Sequence, residues 1–243
     1  MHIQYHGHSC IQVTANGHSV IIDPYITENP SAVVTANQIR VSHVLATHGH
    51  SDHITDAVNL AKLNDAPIIA IEELAYHLAQ QGVQTEPMHC GGEWDFGFGR
   101  VRFTPATHAS SYRDERGQLH YAGTAAGILL EIDGVTIYHA GDTGLFQDMK
   151  WLGERYRIDA AFLPIGGRFT MGPEDALIAA EWLQARLVIP IHSNTFPVIK
   201  QDNYKFVESL AERGIRGKAM EPGETISVCR REQSMILNST QRF

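Results

Sequence analysis

Val41-Ser42-His43-Val44-Leu45-Ala46-Thr47-His48-Gly49-His50-Ser51-Asp52-His53 is the stretch on which the reading of this chain turns. It begins as an apolar run, Val41 to Ala46, that reads as a buried strand. It ends in His48-x-His50-x-Asp52-His53, four groups able to bind a metal within six residues. Imidazole and carboxylate are donors that zinc, manganese and iron(II) accept without any thiolate. A lone histidine is more often a surface or core residue than a ligand, and His2, His6, His18, His43, His77, His89 and His120 are read that way. Four polar donors in a row beside a hydrophobic strand resist that reading, because they are hard to satisfy otherwise. If the strand stops and the chain turns on Gly49, His48 and His50 can point to one ion while Asp52 and His53 face another. Two ions about 3.5–4 Å apart can share a hydroxide and clamp the reacting oxygens.

The remaining ligands have to come from elsewhere, and three candidates stand where an apolar run gives out. His108 follows Val-Arg-Phe-Thr-Pro-Ala-Thr, Asp142 follows Ile-Tyr-His-Ala-Gly, and His192 follows Val-Ile-Pro-Ile. Residues at strand ends can meet on one rim of a sheet from distant parts of a sequence.

Two hairpins frame the chain. Cys10–Thr14 and His18–Asp23 flank Asn16-Gly17; Gly127–Ile132 and Val135–His139 flank Asp133-Gly134. Asn-Gly and Asp-Gly take positive φ at both positions, as the tight hairpin turn requires. Each hairpin leads to an aspartate, Asp23 or Asp142, which predicts two similar halves, each built on a sheet. Strands are also predicted at Pro67–Ile71, Val101–Thr104, Ala160–Pro164, Leu187–Ile191 and Thr225–Val228. Helices are predicted at Thr55–Leu63, Glu72–Gln81, Pro173–Gln184 and Asn203–Arg213. Hairpins mixed with helices imply sheets covered on their outer faces. No linker separates independent domains, so residues 1–237 read as one domain and 238–243 as a polar tail.

At 243 residues, 43% hydrophobic and 19% charged, the composition is that of an ordinary soluble protein. No apolar run is long enough to span a membrane, and no signal segment is visible at the start. Cys10, Cys90 and Cys229 are odd in number and scattered, which points to buried free thiols and a reducing cytoplasm. The net charge of −8 stays negative even with two divalent ions bound, which speaks against nucleic acid as a partner and for a small-molecule substrate.

With its motif followed in order by a His, an Asp and a His, the chain resembles the metallo-β-lactamase superfamily. Within it, the chain is most similar to a bacterial and archaeal group of metal-dependent hydrolases related to the L-ascorbate-6-phosphate lactonases. Tyr5-His6-Gly7-His8-Ser9, Ile22-Asp23-Pro24, Tyr138–Thr143, Phe169–Pro173 and His192–Pro197 carry this likeness from near residue 3 to near residue 228. The resemblance implies an α/β (α+β) fold, a four-layer αββα sandwich of two mixed sheets with helices on the outer faces. It implies two divalent ions, zinc or manganese with iron admissible. His48, His50 and His108 would hold one, Asp52, His53 and His192 the other, and Asp142 would bridge them. The diiron relatives place Glu where this chain has His50, so histidine favours hydrolysis over redox chemistry. Relatives often self-associate, which leaves a homo-oligomer open.

His8 and Asp52 are the candidate catalytic side chains, Asp52 as a ligand that also accepts a proton. Asp23 is expected to orient the motif loop and Thr143 to hydrogen-bond Asp142. His139 is expected to pack beneath Asp142. Arg168, just before the helix starting at Pro173, and Asn194, beside His192, are the candidate substrate contacts. The expected activity is hydrolysis of an ester-, lactone- or phosphoester-like small molecule by a metal-bridging hydroxide. A phosphodiesterase or ribonuclease, a thioesterase and a non-catalytic metal-binding module are the alternatives.

Overall fold

Along the central strands, successive side chains enter different cores. Val20 and Ile22 pack in one buried cluster and Ile21 in another; Leu45 faces the first, Val44 and Ala46 the second. Ile128 and Leu130 share the first cluster, while Leu129 belongs to a third. This period-two alternation, with both faces apolar, is what a sheet buried on both sides requires. The structure is a computed structural model and describes residues 1–114 and 116–229. The 238–243 tail, the end of the 1–237 domain and Arg230-Arg231 lie outside the described residues.

The first half runs β1 (His2–Gly7), β2 (Cys10–Ala15), β3 (His18–Ile22), β4 (His43–Leu45), α1 (Ser51–Ile54), α2 (Ala57–Asn64), β5 (Ile68–Ile71), α3 (Glu72–Ala79) and β6 (Thr85–Met88). The second runs β7 (Glu93–Asp95), β8 (Arg100–Pro105), β9 (Ser111–Arg113), β10 (Leu119–Tyr121), β11 (Ala126–Ile132), β12 (Val135–His139), α4 (Asp148–Arg155), β13 (Ala160–Pro164), α5 (Pro173–Leu183), β14 (Val188–Ile191), α6 (Asn203–Glu212) and β15 (Thr225–Ser227). One sheet has the order β15-β1-β2-β3-β4-β5-β6, the other β14-β13-β12-β11-β8-β7, and β9 pairs with β10 alone.

Three buried clusters correspond to the three interfaces of four layers. Ile11, Val20 and Leu45 meet Phe103, Ile128 and Phe162 between the sheets. Leu60 and Leu74 bring α2 and α3 onto the first sheet, and Met149, Leu177 and Leu210 bring α4, α5 and α6 onto the second. The fold is the αββα sandwich of the metallo-β-lactamase type. Among the described residues, no helix is long and apolar enough to cross a membrane.

The halves correspond strand by strand. β1-β2-β3 is antiparallel, then β3-β4 and β4-β5 are parallel. β8-β11-β12 is antiparallel, then β12-β13 and β13-β14 are parallel. Asn16 and Gly17, like Asp133 and Gly134, all have positive φ, between 51° and 81°. Two expectations differ from the structure. The helix predicted over Thr55–Leu63 is α2, Ala57–Asn64, but Asp52 and His53, expected on the loop after Gly49, stand on a helical turn of their own, α1. Of the cysteines only Cys10 is buried; Cys90 and Cys229 are exposed and free. Cys90 sits in the turn between β6 and β7, followed by Gly91 and Gly92, where no layer covers it.

Candidate metal centre

The motif loop is shaped by Asp23, which follows β3 in a left-handed conformation at φ 50°. Thr47 N donates to Asp23 Oδ1 at 2.8 Å, and Thr47 Oγ1 donates to Asp23 Oδ2 at 2.7 Å. His53 Nδ1 lies 2.8 Å from the same Oδ2. The Thr47 hydroxyl, its proton committed to Asp23, accepts from His48 Nδ1 at 3.0 Å. These bonds place a proton on Nδ1 of both rings; Nε2 of the neutral His48 carries a lone pair, and Nε2 of His53 offers one when that ring gives up its second proton to a metal. Gly49 is required by close approach, since a Cβ there would lie 2.9 Å from both Ala122 Cβ and Ser111 O.

Three ring nitrogens converge on one side. His48 Nε2 is 2.9 Å from His50 Nδ1, which is 3.4 Å from His108 Nε2. A second group gathers Asp52, His53, His192 and His8, with all ligand atoms within 4.8 Å of one another. Asp142 lies between the two. Its Oδ2 is 3.0 Å from His192 Nε2, 3.6 Å from His108 Nε2 and 3.9 Å from His48 Nε2, and its Oδ1 is 3.2 Å from His53 Nε2. Asp142 reaches this point because Gly141 turns the chain at φ 61° and the buried His139 ring braces the turn. His139 Nε2 donates to Ser9 O at 2.8 Å, and Nδ1 accepts from Gly141 N at 3.1 Å.

Charge and burial suit a cation. Burial works to raise the Asp142 carboxyl, but His192 and His53 outweigh it and hold it well below its ordinary range. Burial, then His53, keeps His48 neutral. Asp52 is likewise held low, burial being outweighed by the His8 hydrogen bond and by His53. His53 is the exception: burial opposes its charge, yet Asp142 and Asp23 on either side hold its pKa well above the usual value. Two ionised carboxylates thus call for positive charge between them. His53 Nε2, Asp142 Oδ1 and both ring nitrogens of His192 are buried without a hydrogen-bond partner. Unpaired buried polar atoms are costly, and a metal ion satisfies all of those that converge here. The residues therefore fit a metal.

The structure thus brings His48, His50, Asp52, His53, His108, Asp142 and His192 together, with His8 beside them and Asp23 beneath. His48, His53, Asp142 and His192 are buried, whereas His50, His108 and Asp52 are partly exposed. The centre is therefore open on their side. Thr143 differs from expectation. Its hydroxyl donates to Gly144 O at 2.7 Å and accepts from Thr107 N at 2.9 Å, so it fastens the loop before His108 and leaves Asp142 alone. Asn194 is exposed and its amide serves its own loop, accepting from Gln201 N at 2.9 Å. Arg168 is exposed, with its guanidinium carbon 5.7 Å from the Phe169 ring centroid, outside the cluster. A cleft of about 810 Å³ lies alongside, with His8, Ser193, Asn194 and Lys200 in its wall. Of the clustered groups, only His8 touches it.

Thr195, Asp56 and Ser110 went unread in the sequence. Asp56 is buried and accepts from Ile26 N at 2.7 Å and Thr27 N at 2.8 Å, holding the loop that sets Tyr25 against His8. Ser110 Oγ accepts from Gly49 N at 3.2 Å. Asp56 lies three residues past the motif, a hint of a supporting role; Thr195 falls within the His192–Pro197 stretch but nothing there singles out its hydroxyl, and Ser110 carries no sequence signal.

A sandwich with a His/Asp cluster at the ends of its inner strands defines a metal-dependent hydrolase of the metallo-β-lactamase class. Residues 18–193 match the family model of the β-lactamase superfamily domain. The chain is 52% identical over 229 residues to a UPF0173 metal-dependent hydrolase of Bacillus cereus (strain AH187), covering 94% of this chain and 100% of that one. The structure of Igni18, a metallo hydrolase from the archaeon Ignicoccus hospitalis, superposes with a TM-score of 0.85 at 36% identity, over 93% of this chain and 97% of that one. An isothiocyanate hydrolase from Delia radicum gut bacteria shares the fold, with a TM-score of 0.76 at 21% identity over 93% and 98% of the two chains. The chain belongs to the metallo-β-lactamase superfamily and, within it, to the UPF0173 metal-dependent hydrolases.

Proposed function

We propose that this protein is a hydrolase with two divalent ions, one on His48, His50 and His108, the other on Asp52, His53 and His192, with Asp142 shared. The observation that carries this is the position of Asp142. One buried carboxylate lies within 3.9 Å of ring nitrogens from both groups, at His48 and His108 on one side and His53 and His192 on the other. Nitrogen and oxygen donors without thiolate suit zinc or manganese, and also iron. Bound there, the pair supplies a water acidified to near-neutral pKa and a Lewis acid for the scissile carbonyl or phosphoryl oxygen.

The chain's own residues do the rest. Asp23 and Thr47 fix which nitrogens of His48 and His53 point inward. Asp52 stays a carboxylate on the open side, its side chain 29% exposed, where it can take up the proton released as water attacks. The substrate enters over His50, His108 and Asp52, the three groups reachable from solvent. The net charge of −8 disfavours a polyanion and favours a small ester, lactone or phosphoester. The exposed Arg168 and Phe169 offer that substrate a cation and an apolar face. Free exposed thiols at Cys90 and Cys229 agree with a cytoplasmic setting.

The test is elemental analysis of protein purified without added metal, followed by a panel of lactones, esters and phosphodiesters assayed with the ion found. His48→Ala and Asp142→Ala are expected to lose metal and hydrolysis together. Full activity in chelator-stripped protein overturns the reading.

A further inference from the structure

His8 stands in the left-handed region at φ 55°, directly after Gly7 at φ 100°. This corner turns both its backbone and its ring toward the ligands of the second ion. His8 O accepts His192 N–H at 2.8 Å and Tyr5 O–H at 3.0 Å. His8 Nε2 lies 3.1 Å from Asp52 Oδ2, and Nδ1 lies 2.9 Å from Thr195 Oγ1. One residue thus grips the backbone of one ligand and the carboxylate of another.

The proton positions follow from what each partner can give. An ionised carboxylate has no proton, so Nε2–H donates to Asp52. Nδ1 then carries the lone pair, and the Thr195 hydroxyl donates to it. The same hydroxyl is 3.4 Å from Ser193 O, the weaker of its two contacts. A ring nitrogen that bears a proton cannot ligate, so His8 holds a ligand without being one. Tyr25 and Phe196, with ring centroids 5.5 and 5.6 Å away, confine the imidazole in this orientation.

We infer that His8, fixed by Thr195, is a positioning residue that holds Asp52 and His192 for the second ion and sets how tightly that ion is bound. The inference rests on the two-ion reading, because it assigns the two sites different supports. Of the first-ion ligands, His48 owes its orientation to Thr47, itself held by Asp23, whereas the hydrogen bonds of His8 go to Asp52, Thr195, His192 and Tyr5.

The experiment is calorimetric titration of chelator-stripped protein with Zn²⁺, with bound zinc counted by elemental analysis. His8→Asn keeps a residue that tolerates the left-handed backbone but is too short to reach Asp52. It is expected to weaken the second binding event by about 10–100-fold and leave the first unchanged. Thr195→Val removes only the proton given to Nδ1 and is expected to weaken the same event to a smaller extent, while Thr195→Ser restores it. Equal weakening of both events in His8→Asn, or no change in either variant, overturns the inference while the two-ion reading stands. A wild-type protein that binds a single zinc overturns both.

Discussion

At the scale of the residue, Asp23 shows how a side chain that would touch no ion governs the centre. It accepts from Thr47 N, Thr47 Oγ1 and His53 Nδ1, three donors with no water to turn to. Asp23→Ala strands all three. Each unsatisfied buried donor costs about 1–3 kcal/mol, so a loss of about 3 kcal/mol or more is expected in urea unfolding of the metal-stripped protein. Zinc affinity should fall by about 10–100-fold in chelator competition, since His48 and His53 lose their orientation. Asp23→Asn, which fits the left-handed backbone and keeps one acceptor oxygen, should fall between. Wild-type stability in Asp23→Ala would show that these bonds contribute nothing. Asp23 was legible because it ends a hairpin strand as Asp142 does. Thr195 was not: its partner His8 is 187 positions away, and hydroxyls are common everywhere. Asn194 stands in the cleft wall beside His8, but adjacency to a ligand does not reveal that its amide is hydrogen-bonded within its own loop.

At the scale of the element, the central strands were readable because burial on both faces writes them as short unbroken apolar runs, whereas β1, β6 and β7 went unread. The Asn16-Gly17 and Asp133-Gly134 hairpins appear with two-residue turns in register, Ala15 opposite His18 and Ile132 opposite Val135. α4 went unread because Gly153 lies inside it and glycine argues against a helix. The structure explains the glycine: α4 crosses α5 so closely that a Cβ at 153 would collide with Trp182 O and lie 2.8 Å from Leu183 Cα. This reverses an ordinary rule. Gly→Ala inside a helix usually stabilises by roughly 0.5–1 kcal/mol. Here the backbone of α5 cannot yield as a flexible side chain would, so Gly153→Ala is expected to destabilise by about 1–3 kcal/mol. Denaturant unfolding checks the sign, and a stabilised variant would show that α4 and α5 part easily. The β9–β10 hairpin escaped for another reason. It is three residues a side, exposed or half-buried throughout and outside both sheets, so neither length nor alternation marks it.

At the scale of the whole molecule, the αββα layering follows from the apolar alternation, while the centre depends on both sheets delivering their strand ends to one rim. Six residues of motif announced four of the groups, and three more were recognisable only because apolar runs stop just before them. Which nitrogen each ring presents was illegible, because partners from other loops decide it: His50 turns Nδ1 inward where His48 and His108 turn Nε2. That dispersed assembly couples metal, pH and stability. Burial holds His8, His48 and His139 below the ordinary histidine value, His8 down to about 4. The unfolded chain takes up protons near pH 6.5 that these folded rings refuse. Their contribution to stability is therefore present above about pH 6.5 and lost as pH falls toward about 4. His53, with its pKa raised between Asp142 and Asp23, works the other way: its contribution is present below about pH 6.5 and is lost only as pH rises through its elevated value. In the metal-loaded protein protons compete with the ions for these same atoms. At pH 7.5, zinc at about 100 times its Kd should add about 2.7 kcal/mol. For a chain of this size that is a rise in melting temperature of about 5–10 °C. At pH 5 the rise should shrink, because any ring that has become an imidazolium must shed a proton before it can ligate. Scanning calorimetry with zinc and with chelator, at both pH values, measures the difference. An increment that is the same at pH 5 and pH 7.5 would mean that the ions bind somewhere other than this histidine cluster.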